Sequence, residues 1–125
     1  MRNSNLDLTA IADDVKLYIN TQRNFRNPKL TSNELADALG ISKTSLAKVF
    51  REIFNCTFSE YLNKCRVQYA RHSIVVNKAN ADLEKVAFLA GFMTTRNFRD
   101  KYKETYGETP MATLKALAKK AGNDI

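Results

Sequence analysis

The chain has 125 residues, enough for one domain with a real core, and its 44% apolar content is ordinary for a water-soluble globule. No apolar run approaches the ~20 residues of a membrane span, and no basic-then-apolar leader is present, so a cytoplasmic protein is expected rather than a membrane or secreted one. Twenty Lys and Arg against thirteen Asp and Glu give a net charge of +7, which attracts polyanions without choosing between DNA, RNA and an anionic membrane.

Residues 1–5 are polar and read as a loose start. Leu8, Ile11, Val15, Tyr18 and Ile19 recur at three- and four-residue spacings, which predicts a helix over 8–19. Thr21 to Lys29 is a polar connector with a boundary at Asn27–Pro28. Thr31 and Glu34 form a capping-box pattern, and Gly40 supplies the left-handed residue that ends the helix so begun. Ser42 opens a helix to about Phe54, with a core stripe of Leu46, Val49, Phe50, Ile53 and Phe54. Thr57 and Glu60 repeat the capping-box pattern and open a long helix, Ser59 to about Asn77, or ~28 Å of rod at 1.5 Å per residue. It carries Leu62, Cys65, Tyr69, Ala70 and Ile74 inward and leaves Lys64, Arg66 and Arg71 to solvent or phosphate. Asp82 caps a short helix that Gly91 terminates, and Thr94 caps another that ends at Tyr106–Gly107. Pro110 stands in the first turn of a last helix, which frays from about Lys119. No segment alternates with period two. The expected fold is all-α, with seven helices and no sheet.

Residues 35–54 and 86–106 repeat one construction, a short helix, a glycine turn and a second helix. Leu35, Ala36, Leu39, Gly40 and Ile41 recur 51 residues later as Val86, Ala87, Ala90, Gly91 and Phe92. After one extra residue, Leu46, Phe50, Phe54, Thr57 and Leu62 recur 52 residues later as Phe98, Tyr102, Tyr106, Thr109 and Leu114. Two helix-turn-helix subdomains, 8–55 and 82–118, are therefore expected, joined by a linking helix over 57–78 within a single DNA-binding domain 1–125.

The second helix of such a unit lies in the major groove with its polar face toward base edges. The 52-residue offset pairs Lys43 with Thr95, Thr44 with Arg96, Ala47 with Arg99, Lys48 with Asp100 and Arg51 with Lys103. Positions i, i+3, i+4 and i+7 form one stripe opposite the apolar one. The candidate faces are thus Thr44, Ala47, Lys48 and Arg51, then Arg96, Arg99, Asp100 and Lys103. A guanidinium at Arg96 or Arg99 can grip guanine O6 and N7 with two prongs, and Asn97 can do the same for adenine. Thr44 and Ala47 offer small or methyl-type contacts, while Lys48 and Arg51 suit phosphate or guanine. The helix starts at Ser42 and Thr94 present N–H groups to phosphates, which positions the duplex without reading it. A single basic stripe is more often a solvated face, and the matched pair is what favours the nucleic-acid reading.

The remaining chemistry is sparse. Cys56 and Cys65 read as reduced structural thiols, and with one His in the chain no zinc ligand set is available. His72 reads as a surface or half-buried helix residue, and Tyr61, Tyr69, Tyr102 and Tyr106 as packing. There is no phosphate-cradling glycine loop and no nucleophile–base set, so neither an enzyme nor a cofactor or metal is expected.

From about Leu30 to Leu117 the chain resembles the DNA-binding domain of the AraC/XylS family of bacterial transcription regulators. The segments are LTSNELADALGISKTSLAKVFREIF, TFSEYLNKCR and LEKVAFLAGFMTTRNFRDKYKETYGETP. Their densest part is Gly91–Phe92, Tyr102–Lys103, and Tyr106–Gly107 followed by Thr109–Pro110. The resemblance implies two helix-turn-helix units on one long helix, with both second helices in successive major grooves of one double-stranded DNA. It implies base reading by Thr44, Ala47 and Lys48, then Thr95, Arg96, Asn97, Arg99 and Asp100, with Arg66 as a basic position of the linking helix. Asp100 stands where the family usually has Arg or Lys, and Ala47 is smaller than its counterparts. The implied protein is bacterial, acts at the nucleoid with RNA polymerase as a second partner, and is either a stand-alone regulator or part of one that carries a sensing or dimerisation domain. The rival reading is a helical adaptor whose basic faces bind an acidic protein or a polymerase surface.

Overall fold

Apolar stripes at helical spacing, cut by caps and glycines, produce the observed elements in a computed structural model that describes residues 7–123. The loose start expected over 1–5 lies outside them. The helices are α1 (Leu8–Lys16), α2 (Ser32–Leu39), α3 (Lys43–Val49), α4 (Phe58–Asn77), α5 (Leu83–Ala90), α6 (Thr95–Tyr106) and α7 (Pro110–Asn123). Among the described residues there are seven α-helices and no strand, the all-α class expected. No helix among them is long and apolar enough to cross a membrane. The chain divides into two compact units, Met1–Leu62 and Asn63–Ile125, and α4 starts in the first and continues into the second.

In the first unit α1 packs on α2 and α3. Ile11, Ala12, Val15 and Ile19 of the N-terminal segment, Leu35 and Ala36 of α2, and Leu46, Val49 and Phe50 are all buried. Each large aliphatic side chain so removed from water contributes about 1.5–3 kcal/mol. Two single π-helical turns interrupt the regular pattern, Leu17–Thr21 after α1 and Phe50–Phe54 after α3. Their wider i→i+5 bonding rotates every side chain that follows. Ile53, expected in the core stripe, is consequently 38% exposed. Asn55 closes the second π turn in the left-handed conformation, at φ 55°, which a short polar side chain tolerates.

The connector expected to be merely polar holds a 3-10 turn, Asn24–Arg26, whose Phe25 is 7% exposed. Asn24 Nδ2 donates to the Tyr18 carbonyl at 2.8 Å, tying this turn back to the start of the first π segment.

In the second unit Val67, Ala70 and Ile74 of α4 meet Val86, Ala87 and Ala90 of α5, with Phe92, Phe98 and Tyr102 completing one cluster. Val67 is fully buried and stands at a position the inward stripe of α4 had left out. α7 continues to Asn123 rather than fraying from Lys119, because the Ala and Lys residues of its last turns are strong helix formers.

Candidate nucleic-acid interface

The glycine turns are built alike in both units. In the first, Gly40 N donates to the Asp37 carbonyl at 3.2 Å and Ile41 N to the Ala36 carbonyl at 3.1 Å. In the second, Gly91 N donates to the Phe88 carbonyl at 3.1 Å and Phe92 N to the Ala87 carbonyl at 3.0 Å. This double closure needs a left-handed residue, and the glycines provide φ of 66° and 106°. Only after it do the units differ: Ile41 runs straight into the cap Ser42, whereas Met93 intervenes before the cap Thr94. Met93 is 69% exposed, so the second turn absorbs its extra residue as an outward bulge.

Side-chain caps then set the start of each second helix. Ser42 Oγ accepts from Ser45 N at 3.1 Å, and Thr94 Oγ1 accepts from Asn97 N at 3.1 Å. Thr31 Oγ1 accepts from Glu34 N at 3.1 Å, but the return bond from Thr31 N to the Glu34 carboxylate does not form, leaving half of the expected box. Thr57 and Glu60 form the whole box, with Thr57 N on Glu60 Oε1 at 2.9 Å and Glu60 N on Thr57 Oγ1 at 3.0 Å.

Each second helix is fixed from its inner face by aromatic contacts. In the first unit Phe50 touches Phe54, Phe58 and Tyr61 with ring centroids 5.3, 5.8 and 5.6 Å away. In the second, Phe98 meets Phe92 at 5.3 Å and Tyr102 at 5.8 Å, and Tyr102 meets Tyr106 at 4.9 Å. Leu46 and Phe50 thus do in one unit what Phe98 and Tyr102 do in the other, as the repeat requires.

The opposite faces are open. Lys43, Thr44, Ala47, Lys48 and Arg51 are all exposed in the first unit, and so are Thr95, Arg96, Asn97, Arg99, Asp100 and Lys103 in the second. Arg51 belongs to the π turn rather than to α3, yet still faces solvent. Asn97, next to the core residue Phe98, points outward with Arg96. No ion pair joins Asp100 to Arg96 among the described residues.

Two arginines of α4 depart from the expected solvent face. Arg66 is 8% exposed, and burial pulls its pKa below the usual arginine value, an effect that the nearby Cys65 opposes. Burial on this scale sets it apart from the exposed residues of α3 and α6. The inward stripe had been read as Leu62, Cys65, Tyr69, Ala70 and Ile74, but Val67 is fully buried as well, and the widened sector takes in position 66. Arg71 is half-buried, with its Cζ 4.9 Å from the Tyr106 ring centroid and Nη1 donating to Tyr102 Oη at 3.4 Å. Burial raises the Tyr106 pKa, partly offset by Arg71. The two most exposed large apolar residues, Phe88 at 74% and Met93 at 69%, went unremarked in the sequence. Phe88 fits the helical apolar pattern of α5 so well that only its outward register reveals it.

Known proteins agree with this construction. The family model described as "Helix-turn-helix domain" matches residues 35–116. The chain is 26% identical over 100 residues to the "Probable transcription factor PqrA" of Proteus vulgaris, covering 80% of each chain. It is 24% identical over 117 residues to the "Msm operon regulatory protein" of Streptococcus mutans, covering 94% of this chain but only 40% of that protein. Among solved structures, the C-terminal domain of AraT, a response regulator from Geobacillus stearothermophilus, aligns with a TM-score of 0.76 at 22% identity, covering 89% of this chain and 88% of that one. The DNA-binding domain of AdpA, solved in complex with a target DNA, aligns with a TM-score of 0.69 at 19% identity, covering 89% of this chain and 93% of that one.

Proposed function

This chain belongs to the AraC-type helix-turn-helix family of DNA-binding transcription regulators, and we propose that it reads a specific double-stranded site with α3 and α6 in successive major grooves. What supports this reading is the match between two outward faces: eleven expected contact residues are exposed, each face lies opposite a buried aromatic stripe, and both faces follow the same glycine closure. Arg96 and Arg99 grip guanine edges, Asn97 pairs with adenine, and Thr44 and Ala47 make small contacts with thymine methyls. Lys48, Arg51 and Lys103 hold phosphates, with Lys43 and Thr95 at the helix starts. Arg66 has no place in this set. The DNA-bound AdpA domain shares the fold and supports the same class of partner.

The two units then act as one DNA-binding domain in the cytoplasm, at the nucleoid, as a binding protein rather than an enzyme. RNA polymerase is the proposed protein partner, and a sensing or dimerisation domain would supply the signal.

Selection of binding sites from random DNA tests this directly. One enriched motif is expected, with protection of about 20 base pairs and two major-groove segments roughly 34 Å apart. Binding with no enriched sequence would instead favour an adaptor whose basic faces dock on an acidic protein.

A further inference from the structure

The repeat brings a cavity with it. In each unit a groove opens between the start of the first helix, the second helix and the start of the helix that follows. It measures about 590 Å³ in the first unit and about 240 Å³ in the second. Among the matching lining residues, Ala47 presents only a methyl where the longer Arg99 lines the second groove, and Leu46 stands where the bulkier Phe98 does. The first groove is thereby large enough for a small organic ligand, within the ~300–1,000 Å³ of such sites, and the second is too small.

Its chemistry is two-sided. Leu46 and Phe50, 2% and 3% exposed, form an apolar floor with Phe58, while Lys43 and Arg51 line it as exposed cations. Glu60 also lines the groove, but one of its oxygens already accepts from Thr57 N at 2.9 Å within the capping box.

We propose that this groove binds a small anionic amphiphile, an aromatic or medium-chain carboxylate, with its body on Phe50 and its head toward Lys43 and Arg51. Because Lys43, Ala47 and Arg51 also belong to the face assigned to DNA, an occupant and the duplex exclude one another. That second half rests on the DNA reading above.

The probe is anilinonaphthalene sulfonate, an aromatic anion whose fluorescence rises in apolar sites, titrated into the full chain without DNA. One saturable site per chain is expected. Ala47→Arg, which copies the second unit and fills the groove, weakens binding at least tenfold while the circular dichroism stays helical. Lys43→Ala and Arg51→Ala each weaken it several-fold, since charge-assisted contacts at a solvated rim are only partly screened. The neutral analogue phenylnaphthylamine binds more weakly and ignores Lys43→Ala. Amide NMR shifts in the unmutated chain, centred on Ala47, Phe50 and Arg51, provide the second measurement. Dye binding that Ala47→Arg leaves intact, or shifts centred on Phe88 and Met93, overturns the site and leaves the DNA reading standing. If dye bound in the groove is not displaced by a selected DNA site, the exclusion is overturned, while the DNA reading keeps its own test in the selection.

Discussion

Tyr102 Oη donates to Thr113 Oγ1 at 2.8 Å, joining the inner face of α6 to α7 through two residues that are 0% and 4% exposed. The bond is the middle of a relay: Arg71 donates to Tyr102, and Thr113 donates in turn to a Glu108 carboxylate oxygen. Both hydroxyls, Tyr102 and Thr113, accept one bond and donate another, which is the condition for a buried polar chain to stabilise rather than cost. It also fixes the rotation of α6, and so the direction of Arg96 and Arg99.

Tyr102→Phe removes both bonds of the hydroxyl and keeps the ring, so a loss of about 1–2 kcal/mol is expected in urea unfolding. Thr113→Val is expected to cost a similar amount. Since the two residues share one bond, the double variant loses less than the two single losses together. Strict additivity would mean that the relay contributes nothing as a unit.

Arg66 separates charge from binding. Buried at 8% exposure, it is expected to act through packing and internal bonds. Arg66→Ala therefore lowers stability by about 2–4 kcal/mol. Measured on folded protein, it leaves the slope of log affinity against log salt unchanged. Lys103→Ala, on the open face of α6, does the reverse: stability holds and the slope falls by about one. A flattened slope for Arg66→Ala would return that residue to the phosphate contacts.

Gly40 is a conformational requirement without a steric one. Its φ is 66°, and a Cβ placed there meets nothing within 4 Å. Gly40→Ala is expected to cost about 1 kcal/mol of left-handed strain, and Gly40→Asn less, because Asn tolerates that region. Gly40→Val, branched at Cβ, costs more than either. Equal midpoints in denaturant for Ala, Asn and Val would show that the turn does not need its φ.

Much of this was legible because local chemistry fixes local structure. The caps are single side chains with short-range partners: the expected Thr31, Ser42, Thr57, Asp82 and Thr94 each accept a backbone N–H, and so do Asp7 and Thr109, which were not singled out. The outward faces of α3 and α6 followed from period alone. The departures arise where period itself changes: the π turn after Val49 turns Ile53 outward, and a helix buried over a wide sector draws in Arg66 and Val67. Phe25 hides in a polar segment because its 3-10 turn is too short to show a repeat. The groove behind Ala47 was invisible for another reason, since volume depends on what a side chain fails to fill.

Asp100 is the one acid among the exposed α6 residues proposed to meet DNA, and among the described residues it makes no ion pair that would restrain Arg96. Facing a phosphate-lined groove, an unneutralised carboxylate raises the cost of approach for any sequence. Asp100→Ala is thus expected to tighten binding to random DNA several-fold at about 0.1 M salt. Arg96→Ala acts differently: it relaxes preference at one base pair, with a discrimination loss of about 1–3 kcal/mol, and leaves other positions unchanged. Competition against a panel of single-base site variants distinguishes the two. If Asp100→Ala loses preference for one C·G pair without gaining on random DNA, the carboxylate accepts from cytosine N4. If Arg96→Ala weakens every variant equally, Arg96 holds phosphate and the reading of bases passes to Asn97 and Arg99.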